Sequence, residues 1–108
     1  ACPPIVLGIG IGGTPEQAML AAKKNHLKKL TNKNPDPVLA EFEARLLSEI
    51  NALGVGTMGL GGIRTALSVK ILSLPCHTAS LPVAVNIECW ADRRLTARIY
   101  NDGKIEYV

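Results

Sequence analysis

Residues 5–17 read IVLGIGIGGTPEQ, and two folds compete for them. Gly8, Gly10 and Gly13 stand at G-x-G-x-x-G spacing, behind a short apolar run and ahead of a helix start, as in a dinucleotide-binding turn. Such a fold goes on to a second parallel strand, with an acidic residue about 20 positions later to meet the ribose. Here the helix is followed instead by basic residues, by a proline loop at Asn32–Pro37 (NKNPDP) and by a second helical pattern. Asp36 is better used as a helix cap than as a ribose ligand. The order strand–helix–helix makes the fingerprint accidental. Its glycines keep one use, which is to let backbone amides at the helix start approach an anion or a cofactor.

The flanking pattern gives the elements. Ile5, Val6 and Leu7 form a buried strand running into a glycine-rich turn. Thr14 as N-cap, Pro15 at the first helical position and Gln17 completing a capping box start a helix that runs to about Leu30, with Met19, Ala22, His26 and Leu30 on one stripe. Asp36 and Pro37 repeat the start signal. Leu39, Phe42, Leu46, Ile50 and Leu53 then recur at three- and four-residue steps until Gly54 supplies the stop. The glycine-rich run GVGTMGLGG follows at Gly54–Gly62. Leu67, Val69 and Ile71 alternate with polar residues as a strand, Leu74–Ser80 is irregular, and Val83, Val85 and Ile87 make another strand ending at Cys89. RIYNDGKIEYV closes as a hairpin with Asn101, Asp102 and Gly103 in the turn. The expected class is α+β: one domain over residues 1–108, a mixed sheet of short strands covered by two helices, and a C-terminal β-hairpin.

Composition narrows the function. The chain has 108 residues, 47% hydrophobic but only 4% aromatic, so its core is built from Ala, Val, Ile and Leu. The basic run at Lys23–Lys33 carries no interleaved aromatics for base stacking and reads as a solvated helix face, which argues against nucleic acid. No apolar stretch approaches the ~20 residues of a membrane span, and no secretory signal is visible. Three widely spaced cysteines make no disulfide framework, so a reducing cytoplasm is the expected compartment. The chain opens Ala1-Cys2-Pro3-Pro4 without a Met, as expected of a processed or excised piece.

The side chains that carry chemistry are Cys2, Cys76, Cys89 and His77. None of the cysteines falls in a C-x-x-C pair, so a zinc ribbon is unsupported. A lone cysteine is more often a small buried hydrophobe. Cys2 and Cys89, however, both stand at strand ends, where side chains converge, and soft thiolates around a cluster suit that placement. His77 is by default a loop histidine bonded to backbone, and His26 a satisfied core or boundary histidine. Arg93 and Arg94 are by default exposed, or paired with Asp92 or Glu88.

Three blocks in order, CPPIVLGIGIGGT, NALGVGTMGLGG and HTASLPVAVNIECWADRR, resemble the class I fumarate hydratases and, equally, the α subunit of L-tartrate dehydratase, from Cys2 to about Arg94. The resemblance implies an iron-sulfur hydro-lyase that hydrates fumarate to malate, or dehydrates L-tartrate, with the open iron of a 4Fe-4S cluster as Lewis acid. By motif, Cys2 and Cys89 are two of its three cluster ligands, His77 hydrogen-bonds the substrate, and Cys76 is a bystander. The glycine runs wrap the cluster and carboxylates with backbone amides. The third cysteine belongs to an upstream Cys-Gln-Asp-Thr-Gly segment, and the arginines, lysine and catalytic threonine that handle the dicarboxylate belong to a C-terminal domain or β subunit. Neither is in these residues. The expectation is therefore a fragment of the cluster-binding domain of an oligomer, inactive alone, with both thiols and the His77 imidazole at the rim of one pocket. Two other classes stay open: a nucleotide-binding module, and a structural or subunit-docking domain without catalysis.

Overall fold

The computed structural model describes residues 1–89 and 93–108; Trp90 and Asp92, the latter weighed above as a partner for Arg93 or Arg94, lie outside them. Strand β1 (Ile5–Gly12) leads into helix α1 (Pro15–Lys24), a short 3-10 turn (Asn25–Leu27) and helix α2 (Pro37–Ala52). Strands β2 (Ala66–Leu74) and β3 (Val83–Glu88) complete the sheet, and β4 (Ala97–Ile99) and β5 (Ile105–Tyr107) form the hairpin. The order is β2-β1-β3, with β2 parallel and β3 antiparallel to β1. The expected α+β class, two helices over a mixed sheet with a terminal hairpin, is what the chain adopts.

The two faces of the sheet are packed differently because β1 alternates glycine with large apolar residues. Leu7, Ile9 and Ile11 join Val69 and Ile71 against Leu39, Phe42, Leu46 and Ile50 of α2, and this is the core. On the opposite face Gly8 and Gly10 lie against α1. A Cβ on Gly8 would come 2.1 Å from the carbonyl oxygen of Ala22, and one on Gly10 would come 2.0 Å from that of Ala18. The apparent fingerprint is thus a contact surface inside a strand that runs through Gly12, and it lets a helix of Ala18, Ala21 and Ala22 sit close to the sheet. The expected stripe is corrected accordingly: Met19 and Leu30 are exposed, and Ala18, Ala21, Ala22, Asn25 and His26 are buried. So close a helix has room only for small side chains. It also ends at Lys24, six residues before the expected Leu30, where the chain tightens into the 3-10 turn. In α2 the stripe holds except at Leu53, which is exposed past the last turn, beside Gly54 at φ 67°.

Both helix starts form as the sequence dictates. Thr14 and Gln17 make the reciprocal capping box, and Asp36 Oδ1 accepts from the amides of Val38 and Leu39.

Candidate functional site

The antiparallel return of β3 brings distant residues together. Its last pair joins Val6 to Glu88, so Cys89 leaves the sheet at the end where Cys2-Pro3-Pro4 enters β1. The start of β2 lies there too, with Ile5 opposite Ala66. Side chains and loops fix this end. Asn51, at the last turn of α2, accepts from the amides of Thr65 (2.8 Å) and Ala66 (2.9 Å) and donates to Ala66 O at 3.1 Å. The Gly54–Gly62 run folds back over the entry: Met58 N–H donates to Pro3 O at 2.8 Å, and Gly56 N–H donates to the Thr65 hydroxyl at 3.0 Å. Met58 adopts φ 55°, the left-handed region that costs a non-glycine residue about 1 kcal/mol or more. Cys2 and Cys89 are both free and half-buried, while Cys76 is exposed.

A cavity of about 590 Å³ opens at the same end, and Pro4, His26, Lys28, Glu88, Cys89 and Arg94 are among its walls. His26 reaches it from the turn after α1. Its Nε2 lies 2.8 Å from Asn86 Oδ1, a hydrogen bond whose donor is set by the imidazole tautomer. Its Nδ1 lies 3.4 Å from Glu88 Oε2, at ion-pair range. The imidazole thereby ties the turn after α1 to the last residues of β3, directly before Cys89.

His77 is elsewhere. It sits in the loop between β2 and β3, beside the C-terminal end of β1: Gly13 N–H donates to Pro75 O (3.1 Å) and Gly12 N–H to Pro82 O (2.8 Å). His77 is exposed, its Nδ1 accepts from Ala79 N–H at 3.1 Å, and its carbonyl accepts from Ser80 N–H at 3.0 Å. Strand β1 has eight residues, which separates the two ends by roughly 23 Å at ~3.3 Å per residue. The expectation that an imidazole stands beside the two thiols therefore changes hands. His77 caps a loop at the far end, and His26 is the histidine near Cys89. The expectation of a satisfied core or boundary histidine at His26 holds for its burial, while its Nδ1 makes no hydrogen bond among the described residues. What the sequence lacked was the strand order, because a loop of eight residues between β2 and β3 fits more than one return path.

Glu43 and Lys70 were not singled out by sequence. Glu43 lies on the α2 stripe between Leu39 and Leu46, and its Oε1 accepts from Ile71 N–H (2.7 Å) and Asn34 Nδ2 (2.8 Å). Lys70 is buried on the α1 side, donating to the carbonyls of Leu30 and Asn32. Burial lowers its pKa, opposed by the charge of Glu43 and assisted by that of Lys28. Among the described residues no three His, Cys, Asp or Glu side chains gather as a metal site. No helix among the described residues is long and apolar enough to cross a membrane.

The profile of the family described as Fumarate hydratase (Fumerase) matches residues 1–98. This chain belongs to that family. It is 55% identical over 104 residues to the "Putative L(+)-tartrate dehydratase subunit alpha" of Methanocaldococcus jannaschii, covering 96% of this chain and 36% of that protein. It is 39% identical to the L(+)-tartrate dehydratase subunit alpha of Escherichia coli strain UTI89, over 98% of this chain and 35% of that subunit. To the subunit of the same name in strain K12 it is 38% identical. The chain thus spans about a third of the length of these relatives.

Proposed function

We propose that this chain is the part of an iron-sulfur hydro-lyase that supplies two cluster thiolates, Cys2 and Cys89, to a reaction that adds water to, or removes it from, a small dicarboxylate. One observation carries the reading: two free thiols 87 positions apart in sequence flank the same end of one sheet, at the entry to β1 and the exit of β3. Soft, partly exposed thiols fit an iron-sulfur cluster, and two are too few to hold one. The remaining protein ligand comes from outside these 108 residues. When bound, a 4Fe-4S cluster with one iron free of protein ligands supplies a Lewis acid for the substrate oxygens.

This chain's own part is positional and electrostatic. The loop Gly54–Gly62, tied to Pro3 and Thr65, holds Cys2 in place, and the His26 bridge holds the strand that delivers Cys89. Lys28 and Arg94 at the adjacent cavity favour an anion arriving there. The role of His77 in contacting substrate rests on motif resemblance alone, because the fold sets it at the other end of the sheet. The preferred substrate is L(+)-tartrate, after the names of the relatives, and the fumarate–malate pair is the second reading, after the family's description. The cytoplasm suits free thiols. A further domain or a β subunit, assembled into an oligomer, completes the site.

The test is anaerobic reconstitution of the full-length protein with its companion subunit, followed by parallel assays. Oxaloacetate formed from L(+)-tartrate supports the first reading, and hydration of fumarate supports the second. A reconstituted, cluster-loaded protein that turns over neither would overturn both. The 108-residue chain alone is expected to hold no stable cluster and to show no turnover.

A further inference from the structure

The two edges of the sheet are finished differently. Along β2 the outward backbone is closed by side chains from within the fold. Asn51 serves Thr65 and Ala66, Glu43 accepts from Ile71 N–H, and Asn34 donates to Ile71 O at 3.0 Å. Along β3 no described side chain makes a comparable bond to Val83–Ile87. Natural edges are defended by charge, proline or bulges. From Val83 to Ile87 this strand carries no charged residue and no proline, and its pairing with β1 is regular. On the α2 side, where β1 pairs Leu7 with Ile87, Ile9 with Val85 and Ile11 with Val83, the helix covers β1 and β2 and stops short of β3. Val83, Val85 and Ile87 remain 58%, 57% and 48% exposed, an uninterrupted apolar row on an open edge.

We infer that β3 is an internal strand of the complete protein, and that a further β-strand of the same polypeptide, from outside these 108 residues, pairs along its open edge and covers this row. Main-chain bonding to β3 would supply the affinity, and alternating apolar side chains would meet Val83, Val85 and Ile87. The same polypeptide is the occupant because the relatives are about three times as long as this chain, and the additional length must pack somewhere. A strand tethered in cis also needs no bimolecular encounter. The other edge, already capped by Asn51, Glu43 and Asn34, is closed to such pairing.

The experiment uses the full-length protein carrying Val85→p-benzoylphenylalanine, irradiated and mapped by mass spectrometry. A cross-link within one polypeptide, to a peptide outside these 108 residues, is the expected result. A cross-link to a second copy or to a different subunit, seen as a mass shift under denaturing conditions, would overturn the inference. Hydrogen exchange on the unmodified protein provides an independent measurement. Every second amide of β3 already bonds to β1, so the alternate set is read. Slowing of that set by about 100-fold or more relative to an unstructured peptide supports a paired edge, and exchange at the free-peptide rate would refute it.

Discussion

At the residue scale, buried polar side chains hold the helices to the sheet. Glu43 pairs with a strand amide that has no alternative partner, so Glu43→Leu should cost about 1–3 kcal/mol, while Glu43→Gln keeps an acceptor oxygen and should cost less. Urea unfolding of the two variants separates them. His26→Ala should cost a similar amount by orphaning the Asn86 side chain. Lys70 gives a pH signature. Its folded pKa is lowered by burial, so the folded state binds its proton less tightly than the unfolded chain does. Its contribution is therefore unfavourable below the folded pKa, and stability gains as pH rises from that value towards the ordinary lysine range. NMR titration of lysine Hε/Cε signals should show Lys70 deprotonating before the exposed lysines. The caps at Thr14 and Asp36 were legible because capping is local chemistry. Glu43 was half-legible, since it interrupts the apolar stripe Leu39–Phe42–Leu46 at a position that must face the sheet. His26 was placed correctly as a buried residue, but its partners Asn86 and Glu88 lie 60 and 62 positions away, and no local rule reaches them.

At the element scale, β1 and α1 are one unit whose spacing is set by two glycines. Gly10→Ala would push a methyl group into the Ala18 carbonyl, and overpacking of this kind costs about 1–3 kcal/mol or more. Gly54→Ala is the instructive contrast: it has open space but a φ of 67°, so it should cost only about 1 kcal/mol of backbone strain. Thermal unfolding of both variants checks the ranking. The sequence announced α2 and the two later strand patterns because periodicity is local. Of β1 it announced only the first three residues, because the glycines that continue the strand to Gly12 read as a turn. It misjudged the α1 stripe because Met19 and Leu30 look like core residues until the glycines opposite are seen to demand alanines. Strand order depends on contacts between residues about 60 to 80 positions apart, such as Ile5 with Ala66 and Val6 with Glu88, which periodicity does not encode.

At the scale of the whole molecule, the fold works as a bracket. One end of the sheet gathers the Cys2 entry, the Gly54–Gly62 loop, the exit to Cys89 and the His26 bridge; the other end carries His77. If His77 contacts substrate as its motif implies, His77→Asn in the full-length enzyme should leave cluster content intact and lower kcat or raise KM. Unchanged kinetics would assign it to loop structure, where Ala79 and Ser80 already hold it. The most direct measurement concerns the thiols. Cys2→Ser and Cys89→Ser are made separately in the full-length protein, reconstituted anaerobically, and assayed for iron, acid-labile sulfide and visible absorbance. Loss of the cluster in each variant, with the circular dichroism of the fold retained, is the expected result. Full iron and sulfide content in either variant would contradict the account.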